Sequence, residues 1–161
     1  GMVHVYSEVG HGSVFKIYLP LIESQAAATD DEIEGPAPGG TETILLAEDE
    51  EMVRKLSKAI LERAGYAVLS ARDGEEALSV FEEHSDRIDL ALLDVMMPKL
   101  GGRAVYERIC EKRPQVRVLF ASGYSMNAIH TGFLLDKGLT LVQKPYQRDD
   151  LLRSVRTTLD R

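Results

Sequence analysis

The stretch Ile88-Asp89-Leu90-Ala91-Leu92-Leu93-Asp94 decides the fold. A short, nearly continuous apolar run of this kind is typical of a strand that is buried on both faces of a parallel sheet. Around it, residues 43–161 alternate such runs with segments of helical periodicity, and five strand-and-helix units can be counted. This alternation predicts an α/β fold with a doubly wound parallel sheet.

The first unit shows the pattern clearly. Thr43-Ile44-Leu45-Leu46-Ala47 reads as a buried strand, and Met52, Leu56, Ile60 and Ala64 then recur every four residues, which predicts a helix that ends near Gly65. The other predicted strands lie over 66–71, 88–93, 116–121 and 139–143. The other predicted helices lie over 73–81, with Asp73 as its N-cap, over 103–112 and over 127–137, and a last helix buries Leu151, Leu152, Val155 and Leu159.

Two segments precede this region. Residues 1–20 alternate in the manner of strands around Gly10-His11-Gly12, which predicts a β-hairpin and, because a lone hairpin is marginal, the edge of a larger structure. Residues 21–42 carry six acidic residues and no Lys or Arg, together with Ala, Gly and Pro. Such a composition predicts a flexible, charge-extended linker.

The overall composition excludes several classes of function. The net charge of −7 argues against general binding to nucleic acid, since no basic field is available to neutralise phosphates. No apolar run approaches the roughly 18 residues of a membrane span, so we expect a cytoplasmic protein without membrane contact by this chain. The single cysteine, Cys110, is expected to be inert.

Polar residues follow four of the five predicted strands. Glu48 and Asp49 follow the first strand, Asp94 ends the third, Ser122 follows the fourth and Lys144 follows the fifth. The carboxyl ends of parallel strands share one edge of the sheet, so these side chains are expected to converge there.

The converging groups point to phosphoryl chemistry. Carboxylates held close together repel one another, and a hard cation such as Mg²⁺ relieves that repulsion while keeping positions for phosphate oxygens. Asp94 is then a candidate nucleophile that forms an acyl phosphate. Lys144 and the Ser122 hydroxyl would stabilise the charge on the phosphoryl oxygens.

Four motifs carry a family resemblance. ILLAEDE (44–50), LLDVMMP (92–98), FASGY (120–124) and QKP (143–145) resemble, in this order, the motifs of a response-regulator receiver domain. The resemblance implies a flavodoxin-like (βα)5 fold with strand order 2-1-3-4-5 and a cis Lys144-Pro145 bond.

The same resemblance implies the roles of the site residues. Asp94 would be the phosphoacceptor of a two-component phosphorelay and would take a phosphoryl group from the phosphohistidine of a histidine kinase or a histidine phosphotransfer protein. Glu48, Asp49, Asp94 and the backbone carbonyl of Met96 would bind Mg²⁺. Ser122 and Lys144 would sense the phosphoryl group.

Two departures and two variable positions qualify the resemblance. Leu141 stands where the family usually has its switch aromatic, and Glu48 stands where aspartate is commoner. Met96 and Tyr124 occupy the variable positions that flank the pocket in the family and tune the lifetime of the acyl phosphate.

Residues 5–20, VYSEVGHGSVFKIYLP, are similar to the C-terminal end of the ATP-binding domain of sensor histidine kinases. The order of a kinase end (1–20), a linker (21–42) and a receiver (43–161) implies a C-terminal fragment of a hybrid histidine kinase. The upstream boxes that bind ATP are absent from this chain. The only catalysis expected of it is therefore its own aspartyl phosphorylation and dephosphorylation.

Two alternatives stay open. An aspartate-nucleophile phosphatase of the haloacid-dehalogenase type needs a second aspartate two residues after the nucleophile, and Met96 occupies that position. A degenerate receiver that serves only as a protein-binding surface predicts lost carboxylates or a lost lysine.

Overall fold

A computed structural model describes residues 2–18, 38–123 and 138–161 of the chain. The chain divides into two compact units, Gly1–Glu34 and Gly35–Arg161. The predictions for most of the linker, for Tyr124 and for a helix over 127–137 lie outside the described residues. Within the described part of the chain, no helix has both the length and the apolarity that crossing a membrane requires.

The first unit contains the predicted hairpin. Strands β1 (Met2–Glu8) and β2 (Gly12–Tyr18) pair in antiparallel register. Gly10 and Gly12 have φ angles of 82° and 91°, which glycine adopts at little cost because it has no Cβ. Side chains alternate across the two faces, so the cross-strand pairs Val3–Ile17 and Val5–Phe15 place four apolar side chains on one face.

The second unit is built on a five-stranded parallel sheet with the order β4-β3-β5-β6-β7. This is the strand order 2-1-3-4-5 predicted for the five units, and it confirms the flavodoxin-like fold class. The strands are β3 (Thr43–Ala47), β4 (Ala67–Ala71), β5 (Ile88–Asp94), β6 (Arg117–Ser122) and β7 (Thr140–Gln143). The described helices are α1 (Glu51–Arg63), α2 (Gly74–His84), α3 (Gly102–Lys112) and α4 (Arg148–Leu159).

Strand β5 occupies the centre of the sheet and is buried on both faces. Leu90 and Leu92 belong to the core that is covered by α1 and α4, whereas Ala91 and Leu93 belong to the core under α2 and α3. The alternation follows from the period of two along a strand, and both faces are apolar because helices cover both. The continuous apolar run in the sequence is therefore explained.

Helix α1 forms where it was predicted, but two of the residues that indicated it point into solvent. Met52 is 72% exposed and Leu56 is 59% exposed, whereas Ser57 and Leu61 are fully buried. The Ser57 hydroxyl donates to the backbone carbonyl of Val53 at 2.7 Å, which satisfies its polarity inside the core. The four-residue spacing thus located the helix without identifying its buried face.

Residues immediately before β3 belong to the second unit and contact its helices. The amide of Gly40 donates to the carbonyl of Ala64 at 3.1 Å, and the guanidinium of Arg156 donates to the Glu42 carboxylate at 2.7 Å. A Cβ on Gly40 would collide with the ring of Tyr66. The end of the acidic segment is therefore fitted against α1 and α4.

The assignment of the buried face can be tested with two leucines of one helix. Leu61→Ala is expected to lower the free energy of unfolding by about 2–5 kcal/mol, because it opens a cavity in the core. The matched change Leu56→Ala should cost less than about 0.5 kcal/mol, since that side chain is exposed. Urea denaturation of both variants measures the difference. Equal losses would contradict the assignment.

Candidate functional site

The predicted site residues lie at the carboxyl edge of the sheet. Glu48 and Asp49 follow β3 directly, and Asp94 is the last residue of β5. Ser122 ends β6, and Lys144 follows β7. The parallel register pairs Ala47 with Leu93, Asp94 with Ala121, and Ser122 with Gln143, so these strand ends are adjacent.

Three carboxylates form a cluster at this edge. One carboxylate oxygen each from Glu48, Asp49 and Asp94 lies within 4.8 Å of the others. Glu48 is 2% exposed and Asp94 is 7% exposed, whereas Asp49 faces solvent. A set of oxygen donors that combines buried and accessible carboxylates suits a hard divalent cation that keeps part of its water shell.

The Lys144 ammonium contacts both buried carboxylates. Its Nζ donates to Asp94 Oδ2 at 2.7 Å and to Glu48 Oε2. Burial lowers the pKa of Lys144, but the hydrogen bonds to Asp94 and Glu48 raise it more, so the net shift is upward. The side chain therefore carries its positive charge at neutral pH.

Burial shifts the pKa of Glu48 upward, because it disfavours the charged form of a carboxyl group. Desolvation raises the pKa of Glu48 and outweighs the contact with Lys144, which lowers it. Folding therefore opposes the ionisation of this carboxyl group. A divalent cation bound at the cluster would favour the ionised form.

The second oxygen of Asp94 is held by the backbone. The amide of Met96 donates to Asp94 Oδ1 at 3.1 Å, while Oδ2 accepts from Lys144. The Met96 side chain itself is exposed. Both oxygens of the candidate nucleophile thus have a donor, which orients the carboxylate.

Ser122 and Lys144 are joined through their backbones. The Lys144 amide donates to the Ser122 carbonyl at 2.7 Å, and the half-buried Ser122 side chain lies on the last residue of β6. The Lys144-Pro145 peptide bond is cis, as predicted.

Two further interactions at the site were not predicted from the sequence. Arg54 Nη1 donates to the carbonyl of Glu48 at 2.7 Å and to that of Asp49 at 3.1 Å, which fixes the acidic turn. A cation near a helix N-terminus is unfavourable because it opposes the helix dipole. The position of Arg54 near the start of α1 was therefore the one signal in the sequence that this side chain makes a specific contact. The hydroxyls of Tyr146 and Ser57 lie 2.7 Å apart and connect the segment after Lys144 to α1. Nothing local in the sequence pairs residues so far apart.

Comparison with known proteins identifies the class. The family model described as "Response regulator receiver domain" matches residues 44–156. The chain belongs to the response-regulator receiver domain family, whose members act in two-component signal transduction and bind Mg²⁺ at an acidic pocket.

Similarity to a curated sensor kinase extends over the whole chain. The protein named sensor kinase CckA from Brucella abortus is 32% identical over 169 residues, which cover 100% of this chain and 18% of that protein. The match also spans less than half the length of two other curated relatives, 45% of the transcriptional regulatory protein YrkP from Bacillus subtilis and 46% of the probable transcriptional regulator ycf27 from Guillardia theta.

Solved structures match the second unit. A response regulator receiver domain protein from Clostridium thermocellum is 27% identical, with a TM-score of 0.66 over 74% of this chain and 94% of that chain. A chain in the crystal structure of the CheX-CheY-BeF3-Mg+2 complex from Borrelia burgdorferi is 29% identical, with a TM-score of 0.66 over 72% of this chain and 87% of that chain.

The raised pKa of Glu48 has a measurable consequence for stability. Because the folded protein holds this proton more tightly than the unfolded chain, wild-type protein should lose stability relative to Glu48→Gln as the pH rises above the ordinary value of 4.5. The loss should level off once the pH passes the raised pKa. Urea unfolding of both proteins between about pH 4 and 8 in EDTA measures this difference. A wild-type advantage that grows with pH would show that the contact with Lys144 outweighs burial.

Proposed function

We propose that this chain is a phosphoacceptor in a phosphorelay, in which Asp94 takes a phosphoryl group from a phosphohistidine. One observation carries the proposal: the buried Asp94 carboxylate adjoins the carboxylates of Glu48 and Asp49 and the ammonium of Lys144. A nucleophile, a set of cation ligands and a fixed positive charge thus occupy one edge of the sheet.

The proposed transfer uses the donors already in place. An oxygen of Asp94 forms a bond to phosphorus as the N–P bond of phosphohistidine breaks, and the electron pair of that bond stays on the imidazole. The Lys144 ammonium stabilises charge on the phosphoryl oxygens, the Ser122 hydroxyl donates to one of them, and the Met96 amide orients the nucleophile.

Glu48, Asp49, Asp94 and the Met96 carbonyl are the proposed ligands of Mg²⁺. When bound, Mg²⁺ would supply further neutralisation of the charge on the phosphoryl oxygens. The chemistry of the carboxylate oxygens supports this choice of cation, since Mg²⁺ prefers such hard donors. The solved complex of CheY from Borrelia burgdorferi, a protein with the same fold, includes Mg and BeF3.

The two alternatives receive less support. A receiver retained only as a binding surface predicts a lost carboxylate or lysine, yet Glu48, Asp49, Asp94 and Lys144 are all present and in contact or close together. A phosphatase of the haloacid-dehalogenase type would want an acid two residues after Asp94, and that residue is Met96.

Acetyl phosphate tests the phosphoacceptor role. Wild-type chain incubated with Mg²⁺ and acetyl phosphate is expected to gain one phosphoryl group on Asp94, detected by intact mass and lost on treatment with hydroxylamine. Asp94→Asn should remain unlabelled, because an amide is a poor nucleophile, and EDTA should abolish labelling of the wild type. An unchanged wild-type mass, or labelling that survives in Asp94→Asn, would refute the proposal.

We further propose that the parent protein is a hybrid sensor histidine kinase, with residues 1–20 as the end of its ATP-binding domain, 21–42 as a linker and 43–161 as the receiver. The match to CckA over the whole chain supports this order. The hairpin supports it as well: Val3, Val5, Phe15 and Ile17 share one face and are 58–67% exposed, as expected of an edge that packs on further structure.

The donor is proposed to be the phosphohistidine domain of a histidine kinase or a histidine phosphotransfer protein. Three large apolar side chains of the described part of the second unit are exposed, namely Met52, Leu56 and Met96. All three lie on the segments that follow Asp49 and Asp94. Exposed apolar groups beside a reactive site are typical of a docking surface for a protein.

A charge placed on this surface should impair phosphorylation by a protein donor but not by the small donor acetyl phosphate. Leu56→Asp is expected to slow phosphotransfer from a phosphorylated histidine domain at least about tenfold, because it places a charge where apolar contact forms. Labelling by acetyl phosphate should be unchanged, since this small donor needs no docking surface. Thr157→Asp, on the exposed side of α4, is the matched control. Equal rates for Leu56→Asp and wild type with the protein donor would contradict the docking surface.

A further inference from the structure

An ion pair outside the acidic cluster holds the loop that follows Asp94. The ammonium of Lys99 lies 2.6 Å from Asp73 Oδ2 and 3.4 Å from Glu75 Oε2. The Asp73 side chain is only 6% exposed, and its other oxygen accepts from the amide of Glu76 at 2.9 Å, which caps α2. One buried carboxylate therefore secures both the start of α2 and the loop.

The backbone of Lys99 is held in an unusual conformation. Its φ angle is 64°, and among the described residues it is the one non-glycine residue with a positive φ. A residue with a Cβ occupies this left-handed region sparsely and keeps it only where its surroundings hold it there. The ion pair to Asp73 is a contact that does so.

The loop is closely fitted between β5 and α2. The amide of Gly102 donates to the carbonyl of Val95 at 3.2 Å and closes the loop at its base. A Cβ on Gly74 would collide with the backbone of Leu100, so the loop lies directly against the first residue of α2. The loop therefore has no free space on the side that faces α2, so a movement of Lys99 would also move its neighbours in the loop.

The opposite end of the same loop reaches the nucleophile. The Met96 amide donates to Asp94 Oδ1 at 3.1 Å, three residues before Lys99. Residues that orient the ligands of a metal site alter its affinity without touching the ion. An ion pair that fixes this loop is placed to act in that way.

We propose that Asp73 and Lys99 are positioning residues for the acidic site: their ion pair fixes the loop so that the Met96 backbone orients the Asp94 carboxylate and offers its carbonyl to a divalent cation. The part of this inference that concerns the cation rests on the proposed function. The hydrogen bond from Lys99 lowers the pKa of Asp73, so the pair is ionised at neutral pH.

The full chain with conservative variants tests this role. Lys99→Asn removes the charge but tolerates a left-handed backbone, and Asp73→Asn removes the charge but retains an oxygen that can cap α2. Lys99→Arg restores a cation and should rescue the effect. Lys112→Gln is the matched control, because it breaks another lysine–carboxylate ion pair to α2, that of Lys112 at the end of α3 with Glu82.

Two measurements are made on each protein. Calorimetric titration with MgCl2 should show affinity about tenfold weaker in Lys99→Asn and Asp73→Asn, and wild-type affinity in Lys99→Arg and Lys112→Gln. Hydrogen exchange of the Met96 amide in EDTA should be faster in the first two variants alone. If the ion pair only stabilised the fold, its loss would lower the free energy of unfolding but would change neither the Mg²⁺ affinity nor the exchange rate of the Met96 amide.

The outcomes separate this inference from the proposed function. Wild-type affinity and wild-type exchange in both Asn variants would overturn the positioning role. A wild-type chain that binds no Mg²⁺ would overturn the metal site of the proposed function, and the exchange of the Met96 amide would then decide by itself whether the ion pair fixes the loop.

Discussion

The contact of the Lys144 ammonium with the carboxylates of Glu48 and Asp94 is the interaction on which the site depends. Two carboxylates buried side by side repel one another, and a neighbouring positive charge offsets part of that repulsion. Lys144 supplies that charge from within the chain, and its own burial is possible for the same reason. The arrangement leaves the Asp94 carboxylate, the proposed nucleophile, oriented by donors on both oxygens and close to accessible carboxylate oxygens. Transfer of a phosphoryl group to an aspartate needs a carboxylate placed in this way.

The sheet makes this contact possible. Glu48 and Lys144 are 96 residues apart and Asp94 and Lys144 are 50 apart, yet all three follow or end strands whose carboxyl ends share one edge. Around this edge, backbone and side-chain donors hold each part in place: Arg54 binds the turn after β3, and the Met96 amide binds Asp94. The apolar cores on both faces of the sheet support these strand ends.

Much of this arrangement could be predicted from residues that act locally. The apolar runs located the strands, and Asp73 was correctly predicted to cap α2, because an N-cap needs only a carboxylate three residues before an available amide. The buried face of α1 could not be predicted. Ser57 is buried, with its hydroxyl bonded to the Val53 carbonyl and 2.7 Å from that of Tyr146, 89 residues away, whereas apolar Met52 and Leu56 remain exposed. The ion pair of Lys99 with Asp73 also depends on a loop conformation that has no local pattern.

The sequence by itself determined the order of strands and helices, the residue at each strand end and the membership of the receiver family, because these follow from periodicity and motifs carried by neighbouring residues. Only the tertiary structure decided which charges meet, which face of α1 is buried and which side chains hold the loop after Asp94. The physical reason is that such contacts join residues distant in the chain. Their geometry exists only when the strands have taken their places in the sheet and the helices have packed over it.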